Sequence, residues 1–189
     1  IDMPAGPSEV EVIADGTANP DFIAADFLSQ AEHGADSQAM LVTSAESIVS
    51  PVVDAIQQQL SELSRKDITA KALEHSRIIV LKDEPEVIAF TNMYAPEHLI
   101  IQTENYAHIA EQIENAGSVF MGPYTPESAG DYASGTNHTL PTNGYAKAYS
   151  GVNLDSFIKK ITFQEITAEG IKNLGGTIQT MAGNEQLDA

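Results

Sequence analysis

A glutamine and a histidine near the end of the first predicted helix could bind a metal ion. Gln30 and His33 are three positions apart, so their side chains lie on neighbouring turns of one face and could share one ion. The same spacing fits a surface histidine near a helix C-terminus, where the helix dipole favours imidazolium. Spacing alone leaves both interpretations open.

A carboxylate and an imidazole are adjacent on a bend of the chain. Pro96 interrupts the preceding helical pattern and places Glu97 and His98 just before a predicted strand. Such a pair can act as acid and base, because histidine titrates near neutral pH. Ligands of open α/β sheets usually bind at the carboxyl ends of strands, whereas this pair lies at an amino end. The pair is a candidate for catalysis.

A long segment without periodicity, residues 123–151, contains two further candidates, Asp131 and His138. Neighbouring glycines would allow a ligand to approach the backbone closely. An Asx-turn and a solvated histidine are the alternative interpretation. A loop of this length in a compact domain is usually functional or a linker, and its tyrosines argue against a flexible linker.

Strands and helices alternate along the part of the chain that must position these residues. Strands are predicted at 10–14, 39–43, 77–81, 99–102 and 118–121, and helices at 20–34, 45–63, from 83 and at 104–116. This alternation predicts an α/β fold: an open, mainly parallel sheet with helices on both faces, like an incomplete Rossmann fold.

The chain divides into two predicted domains. Residues 1–152 form the α/β domain that carries the candidate site. Residues 153–189 form a small C-terminal α/β tail, with a short helix at 153–160, a strand at 162–166 and a helix from 168.

The composition excludes several classes of partner and site. With 9 basic and 27 acidic residues, the net charge of -18 disfavours nucleic acids and anionic membranes. The absence of cysteine excludes disulfides and thiolate ligands, so any metal would be bound by His, carboxylate or amide groups. No apolar run approaches the roughly 20 residues of a membrane helix, and we expect a cytoplasmic protein.

Four motifs in one order carry a resemblance to a known family. They are IDMPAGPSE at 1–9, SQAEHG at 29–34, YAPEHL at 94–99 and GPYTPESAGDYASGTNHTLPT at 122–142. Together they resemble histidinol dehydrogenase over nearly the whole chain. The resemblance implies a homodimeric, zinc-dependent enzyme of histidine biosynthesis, which oxidises L-histidinol to L-histidine through histidinal with two NAD+.

The resemblance also implies roles for individual residues. Gln30, His33 and Asp131 match three of the family's four zinc ligands, and Glu97 and His98 match the catalytic pair. The positions that contact histidinol are these three ligands together with Ser8, His98, His138 and Glu185.

The same resemblance predicts that this chain is a fragment that is inactive alone. The fourth zinc ligand would follow Ala189, and the residues that contact NAD would precede Ile1, so none is expected in this chain. Glu185 would belong to a dimerisation tail and serve the site of the partner subunit. Two alternatives are a non-catalytic module that binds metal or imidazole, and a zinc hydrolase built on Gln30, His33 and Asp131.

Overall fold

Five parallel strands form one open sheet in the computed structural model, which describes residues 3–187. They are β1 (Glu9–Ala14), β2 (Gln38–Thr43), β3 (Arg77–Val80), β4 (His98–Gln102) and β5 (Ser118–Met121). Their order across the sheet is β3-β2-β1-β4-β5, with β1 at the centre. The predicted open parallel sheet is confirmed.

The described residues contain seven α-helices: α1 (Pro20–Ala31), α2 (Val49–Glu62), α3 (Lys66–His75), α4 (Glu84–Tyr94), α5 (Tyr106–Ala110), α6 (Glu127–Tyr132) and α7 (Ala168–Asn184). Short 3₁₀ turns lie at Glu46–Ile48, Tyr145–Lys147 and Leu154–Phe157. No helix between residues 3 and 187 is long and apolar enough to cross a membrane.

The starts of α1 and α4 follow from local sequence. Asn19 caps α1, since its side-chain oxygen accepts a hydrogen bond from the Asp21 amide at 2.9 Å, and Pro20 occupies the first turn. Asp83 caps α4 in the same way, through the Glu86 amide at 3.1 Å. These caps fix where α1 and α4 begin.

The sheet has a hydrophobic core on each face. Val10 and Val12 of β1 pack with side chains of α1 and α2 on one face. Ile13 packs with Val87 and Ile88 of α4 on the other. Because successive side chains of a strand alternate between faces, Glu9 and Glu11 also point toward α4. The predicted placement of helices on both faces is therefore confirmed.

Two helix predictions were wrong. Helix α3 was not predicted, because it is largely polar and buries only Thr69 and Ala72. The helix predicted at 104–116 ends at Ala110, since the side-chain oxygen of Asn92 accepts the Glu114 and Asn115 amides at 2.7 and 3.2 Å. Those amides are therefore not available to continue the helix.

Other corrections concern the long loop and the tail. Residues 123–151 are not without structure, because α6 and a 3₁₀ turn lie within them. The helix predicted at 153–160 is reduced to a 3₁₀ turn, and residues 162–166 are not a strand and remain exposed. With no strand beside it among the described residues of the tail, this segment has no ladder to join.

The chain divides into two compact units, Ile1–Ser156 and Phe157–Ala189. The first contains the whole sheet, and the second contains α7. Ile1, Asp2, Asp188 and Ala189 lie outside the described residues, and so do the sequence-based expectations that involve them. The predicted roles of the two segments, substrate binding for 1–152 and dimerisation for 153–189, stay predictions.

Two glutamates of the central strand are buried against α4. The Glu9 carboxylate accepts the Tyr94 hydroxyl at 2.6 Å, and the Glu11 carboxylate accepts the Thr91 hydroxyl. The second oxygen of Glu11 has no hydrogen-bond partner among the described residues. Burial, together with the nearby Glu9 charge, raises the pKa of Glu11 to about 8. The protonated form of Glu11 is therefore favoured at neutral pH.

The substitution Glu11→Gln should stabilise the protein relative to the wild type as the pH rises from 5 to 9. The folded-state pKa of about 8 exceeds the ordinary 4.5, so the folded state holds the extra proton between these values and loses stability as the pH rises through them. Glutamine stays neutral and can still accept the Thr91 hydroxyl. We expect a relative gain of about 4 kcal/mol at pH 9 over pH 5, measured by urea denaturation.

The matched control is Glu62→Gln, which removes an exposed carboxylate. A difference in unfolding free energy between Glu11→Gln and the wild type that is the same at both pH values would contradict this account of Glu11.

Candidate active site

A cavity of about 290 Å³ gathers most of the residues that sequence analysis selected. It is lined by Ser8, Gln30, His33, Glu97, His98, Glu127, Asp131, Tyr132 and His138. All the predicted site residues of the first unit line this one cavity. A volume of this order suits a small ligand.

The cavity lies at the amino-terminal edge of the sheet. Ser8 precedes β1, and His98 opens β4, where it lies beside Val10 in the parallel ladder. Gln30 lies in the last turn of α1, and Asp131 lies in α6. His33 lies in the turn after α1 rather than in the helix as predicted, and its amide donates to the Gln30 carbonyl at 3.2 Å.

A sharp turn after α4 places the Glu97–His98 pair at the cavity. Ala95 ends α4 in the left-handed region, with φ 59° and ψ 64°, and Pro96 follows it. The amides of Gly117 and Ser118 donate to the carbonyls of Pro96 and Glu97, each at 2.9 Å. A non-glycine residue in the left-handed region costs about 1 kcal/mol, so the packing and these hydrogen bonds hold the turn.

The orientation of the His98 ring assigns its tautomer. Nδ1 lies 3.2 Å from the Glu9 carbonyl oxygen, which can only accept, so Nδ1 carries the hydrogen. Nε2 then carries the lone pair, and this buried atom has no partner among the described residues. Burial lowers the pKa of His98 and favours the neutral ring. The ring is arranged as a base with its accepting atom free.

The Glu97 carboxyl is held beside this imidazole. Its Oε2 accepts the Glu9 amide at 2.9 Å and lies 3.6 Å from Nδ1 of His98. Burial raises the pKa of Glu97 to about 8, and the charges of Glu9 and Asp131 add to the rise. A cation in the cavity would favour the ionised form, in which Glu97 can act as a base.

Three residues around the site, Glu9, Glu127 and Tyr132, were not predicted from the sequence. Glu127 is buried, and burial with the nearby Asp131 charge raises its pKa to about 8. The surrounding groups assign the orientation of the Gln30 amide: with its nitrogen toward Glu127, Nε2 donates to both Glu127 oxygens, at 2.8 and 3.1 Å. Glu127 and Asp131 are four positions apart, a spacing that indicates one helix face, but α6 was not predicted.

The chemistry of the lining suits a divalent cation without thiolates. Among residues 3–187, no group of three His, Cys, Asp or Glu side chains could hold a metal ion. The predicted ligand set contains only two such side chains, His33 and Asp131, with the Gln30 amide as the third. All three line the cavity, and amide, imidazole and carboxylate are acceptable zinc ligands. Their joint coordination of one ion stays a prediction.

The eighth predicted site residue lies in the second unit. Glu185 follows the last turn of α7, is exposed, and donates its amide to the Ala182 carbonyl at 3.0 Å. Its predicted contact with substrate in a partner subunit stays a prediction.

Comparison with known proteins identifies the family. The family model of histidinol dehydrogenase matches residues 1–189. The chain belongs to the histidinol dehydrogenase family. The resemblance found in its motifs is thereby confirmed.

Relatives in this family are similar along the whole chain. Histidinol dehydrogenases of Bacteroides thetaiotaomicron and Vibrio parahaemolyticus are 66% and 57% identical over 189 residues, all of this chain and 44% of each relative. A crystal structure of histidinol dehydrogenase from Elizabethkingia anophelis is 61% identical with a TM-score of 0.93, covering 98% of this chain and 43% of that one. The chain therefore spans less than half the length of these relatives.

Gly117→Ala should destabilise the turn that carries the Glu97–His98 pair. A Cβ at residue 117 would lie 2.5 Å from the Glu97 carbonyl oxygen, a backbone atom that can move only with the pair. We expect a loss of about 1–3 kcal/mol in unfolding free energy, the usual cost of overpacking. Gly16→Ala is the control, because its Cβ would meet nothing closer than 3.9 Å. Equal stability of the two variants would show that the turn tolerates the extra carbon.

Proposed function

We propose that this chain forms the substrate site of an enzyme that oxidises L-histidinol to L-histidine through histidinal in histidine biosynthesis. The observation that carries the proposal is the free Nε2 of a neutral, buried His98 beside Glu97, in a cavity of imidazole, amide and carboxylate groups. Membership of the histidinol dehydrogenase family supports it.

The proton chemistry of this chain follows from the tautomer of His98. In the first oxidation, Nε2 of His98 accepts the proton of the substrate hydroxyl, while the carbon that bears this hydroxyl loses a hydride. In the second, ionised Glu97 takes a proton from the water that adds to the aldehyde, and the resulting hydrate loses its hydride. NAD+ accepts each hydride when bound, and we assign no residue of this chain to holding it.

Gln30, His33 and Asp131 would hold zinc, and their donor chemistry fits that ion. Zinc supplies a fixed positive charge that orients nitrogen atoms of the substrate and favours ionised carboxylates. Ser8 and His138 line the same cavity and would contact histidinol. Buried carboxyl groups around the cavity favour a cationic ligand, and histidinol carries an ammonium group at neutral pH.

A homodimer is part of the proposal and is supported by α7. Ile171, Leu174, Ile178 and Met181 are spaced three and four residues apart on one face of α7, and all are exposed. An apolar stripe of this kind is typical of a helix that packs against another chain or domain. We propose that Glu185, just beyond this stripe, serves the partner subunit, and that the protein is cytoplasmic.

Glu97→Gln in the full-length protein should reduce the oxidation of histidinal far more than that of histidinol. Glutamine keeps the shape and can accept the Glu9 amide, but it cannot take a proton from water. General acid–base groups contribute about 10²–10⁴-fold, so a loss of that order is expected in the second step, measured as NADH formation from each substrate.

The control for this experiment is Glu114→Gln, an exposed acid outside the cavity. Losses below about tenfold in both steps would exclude Glu97 as the base. A wild-type protein that binds histidinol and zinc without forming NADH would instead support a non-catalytic binding module.

Asp131→Asn and His33→Gln should each reduce zinc retention by the full-length protein. Replacing one of the few zinc ligands weakens zinc binding by at least about tenfold, because the binding energy depends on all ligands being present and deprotonated. The measurement is elemental analysis after dialysis against a weak chelator. His75→Gln, which removes an exposed histidine on α3, is the control. Retention equal to the wild type in both ligand variants would remove the proposed ion from this cavity.

A further inference from the structure

Glu127 is a buried acid at the cavity to which none of the proposed steps gives a role. It opens α6, and only 3% of its surface is exposed. Burying a carboxyl group is unfavourable unless hydrogen bonds compensate. Its hydrogen-bond donor is the amide of Gln30, which is fully buried in the last turn of α1. The contact therefore joins two elements that are far apart in sequence.

The contact fixes which end of the Gln30 amide faces Glu127. Nε2 donates to Oε1 at 2.8 Å and to Oε2 at 3.1 Å. With Glu127 ionised, as a cation in the cavity favours, the opposite orientation would set the amide oxygen against two carboxylate oxygens, so that only acceptors would face one another. Because the two ends of an amide point in different directions, Oε1 of Gln30 is turned away from Glu127. That oxygen is the only atom of the side chain with a lone pair for a cation.

The same short helix also carries a proposed ligand. Asp131 lies one turn after Glu127 in α6. Between them, Gly130 packs so closely on Phe120 of β5 that a Cβ there would lie 2.5 Å from the ring. The ring of Phe120 is 6.0 Å from that of His98. Helix α6 thus packs against the sheet beside the catalytic pair. This packing places the Glu127 carboxyl next to the Gln30 amide.

We propose that Glu127 is a positioning residue that orients the amide of Gln30, so that its oxygen and not its nitrogen is presented to the metal ion. The proposal rests on the proposed zinc site. Hydrogen-bond partners that orient metal ligands typically affect metal affinity by 10–100-fold when they are replaced. In this role Glu127 acts through Gln30 and is not itself a ligand of the ion.

The test is the zinc dissociation constant of the full-length protein, measured by competition with a chromogenic chelator. Glu127→Gln is nearly isosteric but lets either end of the Gln30 amide face residue 127, so the preference for one orientation is lost. We expect zinc affinity to fall about 10–100-fold with an unchanged thermal midpoint of the metal-free protein. If this variant does not fold, Glu127→Asp, which withdraws the carboxylate by one methylene, should show the same loss.

The matched control is Asp26→Asn. Asp26 is also a buried acid, one turn before Gln30 on α1, but its carboxylate accepts the Gln102 amide at 2.6 Å instead. Its replacement removes a buried carboxyl of the same neighbourhood without touching Gln30. Zinc affinity within about threefold of the wild type is expected.

A double-mutant cycle separates orientation of Gln30 from a general effect of charge. In a Gln30→Ala background, Glu127→Gln should cause no further loss of zinc affinity, because the amide that it orients is gone. An equal loss in both backgrounds, or no loss in the wild-type background, would overturn the positioning role and leave the zinc site intact. A wild-type protein that binds no zinc would overturn the zinc site and the positioning role together.

Discussion

The backbone of one residue at the start of the central strand, Glu9, holds both members of the proposed catalytic pair. The amide of Glu9 donates to the Glu97 carboxyl, and its carbonyl accepts Nδ1–H of His98. The side chain of the same residue accepts the Tyr94 hydroxyl and, at 2.5 Å, the Asn143 amide. Strand, helix and long loop therefore meet at Glu9, and the parallel ladder between β1 and β4 sets the register at which they meet.

The second constraint is the number of carboxyl groups buried near this point. Glu11, Glu97 and Glu127 each have a pKa raised to about 8, and that of Asp26 is raised to about 6. Burial is the main cause in every case. Each group is most stable when it is protonated or paired with a cation, so the cavity edge favours cationic ligands and the folded protein loses stability as the pH rises.

The position of the site follows from the topology. In an order of β3-β2-β1-β4-β5, ligands are expected at the carboxyl edge, between β1 and β4. The gathered residues lie at the opposite edge, because the end of α1 and the start of β4 are both brought there by the crossovers, and α6 packs over them. The proposed metal ligands thus come from the end of α1, the turn after it and α6 rather than from strand ends.

The sequence alone determined the alternation of strands and helices, the caps of α1 and α4, and the motifs that carry the family resemblance. These are local features, readable from periodicity and residue type. It did not give α3, whose sequence is largely polar, nor the end of α5 or α6, which depend on contacts of Asn92 and Phe120 with distant segments. Only the tertiary structure decided the tautomer of His98 and the orientation of Gln30, since each is set by a partner that is remote in sequence, Glu9 for one and Glu127 for the other.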